Sequence, residues 1–293
     1  MKTNKKKGNT NLLLRIIEVI LFVLVVLVFL FSLSKVVSIT KEYKAGRDEY
    51  KELENFTELP ARLETPVVVP SEKVEGVTEK TESSEQVSAE STEKKLKVKY
   101  NDQFLDMAVD FDALESINSD FEGWLYIPAL KINYPLVLGE NNDYYLTHTF
   151  QKAENSSGSL FLDQATDTPF EDYNTIIHGH DMKNGSMFGK LDTFYRDTKT
   201  YTENPYFYVY TENGAYKYLI FSYYVTDATS DTYQLPTNEE SYLVYKDYVA
   251  KRAVWQDVEG VPRIAPIVTL STCYGNSYTN ERFVVHGILV DSK

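Results

Sequence analysis

Cysteine is almost missing: there is one, Cys273, in 293 residues. A single thiol cannot form an internal disulfide, so a cross-linked extracellular scaffold is excluded. Basic surface is scarce too: 30 Lys and Arg face 43 Asp and Glu, a formal net charge of −13. Outside the extreme N-terminus nothing offers phosphates a cationic face, which excludes a nucleic-acid partner. No phosphate-cradling glycine loop is present, no Gly-x-Ser-x-Gly elbow and no internal repeat.

One hydrophobic run is long. Lys2, Lys5, Lys6 and Lys7 precede an apolar stretch over 12–33, and 19–31 holds no polar residue. A helix needs about 20 apolar residues to span a bilayer. The lysines orient such a span with residues 1–11 cytoplasmic and everything after Lys35 outside. Arg15 and Glu18 lie three apart, within pairing distance near the interface. The competing reading is a cleavable signal peptide, for which Ser32-Leu33-Ser34 is a passable processing site.

Residues 35–96 divide in two. The part from 38 to 56 is charged and helix-favouring, which predicts a juxtamembrane helix. From 59 to 95 the chain is Glu, Ser, Thr, Val and Lys with Pro60, Pro66 and Pro70 and no aromatic residue, a composition that predicts disorder. Roughly 35 flexible residues have an r.m.s. reach on the order of 30 Å, so the domain beyond is expected to be tethered yet free to sample the volume above the membrane.

From residue 97 to 293 the composition turns aromatic and β-branched, and most of the 23 tyrosines fall here. Strands are predicted over 123–127, 132–138, 144–150, 158–163, 174–179, 206–210, 215–226, 267–273 and 283–291. Helices are predicted over 110–118, 182–195 and 239–254. Many short strands with few long helices point to a mostly β fold, a closed barrel with helical insertions.

Cys273 ends the run Ile267-Val268-Thr269-Leu270-Ser271-Thr272-Cys273. A lone thiol outside the cytoplasm is exposed to oxidation, so one kept at a strand end reads as chemically used; the alternative is a small buried apolar residue. Thiolate chemistry needs a proton partner, and histidine suits it near neutrality. Of His148, His178, His180 and His286, His180 projects past a strand end at Gly179, whereas His286 lies in an apolar strand and reads as structural. Arg282 lies nine residues past the thiol, a spacing that fits two adjacent strands and places its guanidinium beside the sulfur; a surface arginine is the alternative. His178, His180 and Cys273 also form a weaker zinc reading, without diagnostic ligand spacing.

Together these residues resemble the sortases, membrane-anchored cysteine transpeptidases of Gram-positive bacteria. Thr269-Leu270-Ser271-Thr272-Cys273 is similar to the family's TLxTC strand, Gly179-His180 to its histidine motif, and Arg282 to its arginine. Class B is the best match. The segment His180-Asp181-Met182-Lys183-Asn184-Gly185-Ser186-Met187-Phe188 resembles GHNMKDGSMF with Asp and Asn exchanged, and 118–135 and the helix before the cysteine strand resemble class B features.

The resemblance implies an eight-stranded β-barrel, with His180, Cys273 and Arg282 as the catalytic set and Ser271, Asn142 and Leu146 in the substrate groove. The implied reaction cleaves a C-terminal sorting motif of the LPxTG or NPxTx type through a thioacyl intermediate. The implied partners are secreted proteins bearing that signal, with a peptidoglycan precursor or a pilin lysine as acceptor amine. It needs no metal or other cofactor. A cell-surface cysteine peptidase that hydrolyses, and a non-catalytic tethered scaffold that binds peptide, are the alternative functions.

Overall fold

The computed structural model describes residues 4–59, 104–197, 199–200, 204–253, 261–275 and 279–293. Helix α1 (Asn4–Leu53) runs unbroken through the apolar stretch and beyond it. Among the described residues it is the one helix long and apolar enough to cross a membrane, and its apolar window buries nothing against the rest of the chain. A short 3₁₀ turn (Glu54–Phe56) leads into β1 (Thr57–Glu58), which pairs antiparallel with β2 (Ala108–Val109). Helix α2 (Phe111–Ile117) is capped by Asp110, whose side chain accepts a hydrogen bond from the Ala113 N–H at 3.1 Å.

Then come β3 (Phe121–Ile127), β4 (Ile132–Val137), β5 (Leu160–Leu162), β6 (Asn174–His178), helix α3 (Thr193–Arg196), β7 (Tyr206–Thr211) and β8 (Gly214–Asp227). Helix α4 (Glu239–Lys251), β9 (Ile267–Cys273) and β10 (Glu281–Ser292) complete the chain. Eight strands close into a barrel in the order β10-β8-β7-β3-β4-β5-β6-β9. The eight-stranded, mostly β architecture anticipated from sequence is the one observed. Two neighbour pairs, β4/β5 and β6/β9, are parallel; the others are antiparallel.

The barrel interior holds Leu125, Leu136, Ile177, Phe207, Leu270 and Phe283 among other apolar residues. Outside it, Tyr242, Tyr245 and Val249 of α4 pack on Leu219, Phe221 and Tyr224 of β8 and on Val284 and Ile288 of β10. Strand β8 is therefore buried on both faces. Its inward residues change parity, from Tyr218 and Ile220 to Tyr223, where β10 slips register between His286 and Gly287. A bulge of this kind turns one extra residue out of the alternation. Helix α4 begins at a capping box in which Asn238 and Ser241 satisfy each other's backbone N–H groups.

Three expectations differ from the structure. The strand expected over 144–150 is a 3₁₀ turn (Tyr144–Leu146) followed by loop, because the Asn141 side chain accepts from the N–H groups of Asp143 and Tyr144 and curls the chain. The helix expected over 182–195 survives only as α3; upstream, Gly185 and Met187 take positive φ and the Asn184 side chain accepts from the Ser186 N–H. The juxtamembrane helix expected over 38–56 exists, but as the continuation of α1, and it docks on the barrel rather than standing apart.

That docking follows from one stripe. Gly46, Tyr50 and Leu53 recur at helical spacing and are buried, with Glu42, Tyr43 and Glu49 half-buried beside them. The Tyr50 hydroxyl donates to the Gly158 carbonyl at 2.6 Å and accepts from the Phe150 N–H at 3.2 Å. Glu49 accepts from the Gln151 N–H at 2.9 Å and Glu42 from the Ser156 N–H at 2.6 Å. Nearly all of the segment expected to be a disordered stalk lies outside the described residues. Its two flanks pair with each other as β1 and β2, and the helix that continues the apolar span is itself docked on the barrel.

Candidate active site

Cys273 is the last residue of β9, and its thiol is exposed. Directly opposite it on the antiparallel neighbour β10 stands Arg282. The next pair along the ladder is closed by the Tyr274 N–H to Glu281 carbonyl bond at 3.0 Å. Hydrogen-bonded and non-hydrogen-bonded pairs alternate, so Cys273 and Arg282 form a non-hydrogen-bonded pair, the kind with the closer side chains, on one face of the sheet. The guanidinium is fixed in part by an Nη1 bond to the Glu281 carbonyl at 3.0 Å.

The other neighbour of β9 is the parallel strand β6, on which His178 is level with Ser271. The Gly179 N–H prolongs that pairing by donating to the Ser271 carbonyl at 3.1 Å, which delivers His180 to the end of the barrel where Cys273 sits. Gly179 is required by space: a Cβ there would meet Leu160 Cδ2 at 2.3 Å and Phe188 Cδ2 at 2.7 Å. His180 Nε2 lies 2.7 Å from the Leu146 carbonyl oxygen. A carbonyl only accepts, so Nε2 carries the hydrogen and Nδ1 is the nitrogen left to gain or lose a proton.

The two other groove candidates have their polar atoms engaged by neighbouring residues. Asn142 donates to Asp163 at 3.0 Å and accepts from the Gln164 N–H at 2.8 Å. Ser271 is buried and shares a 2.8 Å hydrogen bond with the Tyr233 hydroxyl. Leu146 packs its side chain on the edge of the barrel core while its carbonyl holds the histidine.

Three neighbours carried no sequence signal. Tyr233 stacks on His178 with ring centroids 6.4 Å apart. Burial pushes its hydroxyl pKa up, the Ser271 hydrogen bond and Arg282 oppose this, and Cys273 adds to it, which places the phenol in electrostatic reach of both. Asp163 receives His178 Nε2 at 2.9 Å, and that bond, ahead of the opposing cost of burial, holds its carboxyl below the usual range. Asp227, on β8 beside Arg282, is lowered chiefly by its bond with Thr229, with Arg282 a smaller contributor. These residues come from separate strands and loops without a local pattern, so only the barrel's closure reveals them.

The remaining histidines serve structure. His286 is fully buried, with Nδ1 2.9 Å from Thr269 Oγ1 and Nε2 3.1 Å from the Tyr224 hydroxyl. Burial drives its pKa down to about 3, so it stays neutral. His148 stacks on Tyr144 at 4.0 Å. In the zinc reading, His178 Nε2 is already bound to Asp163 and His180 Nε2 faces a carbonyl; among the described residues no group of three or more His, Cys, Asp and Glu is placed to hold a metal.

An eight-stranded barrel whose end brings together a thiol, an imidazole and a guanidinium is an arrangement suited to acyl transfer through sulfur. The sortase domain family matches residues 125–290, more than half of the chain. A sortase B of Listeria monocytogenes is 35% identical over 181 residues, 60% of this chain and 72% of that protein. A sortase B of Staphylococcus aureus is 30% identical over 178 residues, with the same coverage of 60% and 72%. Clostridium perfringens sortase B superposes with a TM-score of 0.57 at 30% identity, covering 61% of this chain and 99% of that one. A Staphylococcus aureus sortase B–substrate complex superposes with a TM-score of 0.57 at 28% identity, covering 62% and 84%. The chain belongs to the sortase family, and within it to class B. Sortases are cysteine transpeptidases that work at the cell surface.

Proposed function

We propose that this chain is a membrane-anchored transpeptidase that cleaves a C-terminal sorting motif of the LPxTG or NPxTx type and joins the released carboxyl end to an amine. The observation that carries the reading is the meeting of Cys273, Arg282 and His180 on three adjacent strand ends. In this reading residues 1–11 are cytoplasmic, 12–34 span the membrane, and the barrel stands outside.

The thiolate of Cys273 attacks the carbonyl carbon of the motif's threonine, forming a C–S bond while charge gathers on the carbonyl oxygen. Arg282 donates to that oxyanion and orients the peptide. The C–N bond then breaks, and the departing amine takes a proton from the His180 imidazolium, which leaves a thioester. An acceptor amine, from a peptidoglycan cross-bridge or a pilin lysine, attacks the thioester. It gives its proton to His180 as the C–S bond breaks and the thiolate returns. Asn142, Leu146 and Ser271 border the groove. With both polar ends of Asn142 engaged, its part is to shape the wall rather than to offer free hydrogen bonds.

Mass spectrometry of the protein with a small library of sorting-motif peptides, with and without triglycine or a diaminopimelate-type amine, tests the proposal. A thioacyl adduct on Cys273 that resolves to an amine-linked product supports it. Free acid as the sole product, even with amine present, favours a peptidase. No adduct with any peptide, together with a thiol inert to an alkylating probe, favours a non-catalytic scaffold.

A further inference from the structure

Along α1 the bare apolar surface ends almost where the barrel begins. Val36, Val37 and Ile39 are 59%, 46% and 50% exposed, and by Glu42 the helix is bonded to Ser156 and Asn155 of the barrel. No spacer intervenes, and the helix does not break between them. Lys35 is the first charged residue after Glu18, so the hydrocarbon boundary falls near it. From Lys35 to Glu42 the helical rise is about 10 Å. The headgroup layer is itself about 5–8 Å thick on each side.

Heights on the barrel can be read along the same helix. Glu42 touches 155–156, Gly46 approaches Ser157, Tyr50 meets Phe150 and Gly158, and Phe56 accepts from Asp110 at the upper end. The loop at 155–157 is thus the low side. It is bonded directly to the segment that holds His180: the Asn155 N–H donates to the Thr147 carbonyl, and Leu146, next to it, carries the carbonyl at His180.

We propose that the barrel face formed by the loop at residues 155–157 rests at the phospholipid headgroup layer, held there by α1 as a rigid post, so that the Cys273 site, joined to that loop through residues 146–147, opens close to the bilayer surface. The proposal rests on α1 being a retained membrane anchor. A bilayer surface is the partner, and the barrel meets it in one orientation rather than sampling the space above it.

The test uses the full chain in phosphatidylcholine–phosphatidylglycerol vesicles, in a Cys273→Ser background that leaves one introduced cysteine to carry a donor dye. Ser156→Cys marks the low face and Glu58→Cys the high end, with Ala108→Cys as a second high site should either label disturb folding. All three positions are exposed. The acceptor dye is on lipid headgroups. The helix between Glu42 and Leu53 alone separates the two levels by about 16 Å, so transfer from position 156 should exceed that from position 58 by at least about twofold. A five-residue Gly-Ser insert between Thr40 and Lys41 should erase the difference. Equal transfer from both sites, in protein that floats with the vesicles, overturns the fixed orientation. A difference that survives the insert overturns the post. Protein that does not float with the vesicles overturns the anchor and the proposal with it.

Discussion

Cys273 and Arg282 are paired residue to residue across the β9–β10 ladder, one step before the Tyr274–Glu281 hydrogen bond that closes it at the loop end. This position gives the sulfur a cation on its own face of the sheet, fixed by the backbone of two strands. An arginine carried on the loop itself would have no such register.

If Arg282 serves the oxyanion, Arg282→Lys keeps the charge but loses the planar fork of donors. Peptide cleavage should fall by about a hundredfold, mostly in kcat, while thermal stability stays near wild type. Cys273→Ala should abolish the thioacyl adduct altogether. Near-normal cleavage by Arg282→Lys would reduce this arginine to a surface charge.

Gly179→Ala tests the close approach that delivers His180. The added methyl has no room between Leu160 and Phe188. Overpacking of this kind costs about 1–3 kcal/mol. Chemical denaturation should register that loss, and cleavage should fall with it as the histidine shifts away from the thiol. A variant as stable and as active as wild type would show that the two side chains can yield at no cost.

Tyr50→Phe removes the hydroxyl that bonds Gly158, Ser159 and Phe150 where α1 meets the barrel. The Gly158 carbonyl and Phe150 N–H lose this partner, a loss worth about 1–3 kcal/mol. The melting temperature should drop, and amides of 150–158 should exchange faster with solvent. An unchanged melting temperature would mean that the dock is held by Leu53 and the rest of its apolar stripe.

His286 makes the barrel acid-sensitive in a defined window. Its ordinary pKa is 6.5 and burial lowers it to about 3 in the folded state. Between those values the unfolded chain binds a proton that the folded chain does not, so stability rises with pH there and is lost as pH falls from 6.5 towards 3. The slope from this group reaches about 1.4 kcal/mol per pH unit. His286→Gln should be less stable at neutral pH but flatter in urea midpoint between pH 6.5 and 4.5. Parallel profiles would move the acid lability to carboxylates such as Asp163, whose lowered pKa makes it lose stability as pH falls through the carboxylate range.

Much of this protein was legible from local pattern. An apolar run of helix-spanning length, the helices around 110–118 and 239–254, the strand that ends at Cys273 and the nine-residue step from Cys273 to Arg282 each depend on residues near one another in the chain, so the sequence by itself determined them. It also determined the family, through short motifs whose spacing is local. The tertiary structure alone decided what joins distant segments: that α1 continues past the membrane-length run and docks on the barrel, that Leu146 holds His180 across 34 residues, and that Asp163 receives His178. It also decided where two expected elements failed, at 144–150 and 182–195. There, side-chain bonds from Asn141 and Asn184 override an apolar pattern that fits a strand or a helix equally well. Periodicity reports which face of a segment seeks burial. Which partner buries it depends on closing loops of tens of residues, and that is settled by the packing of the whole barrel.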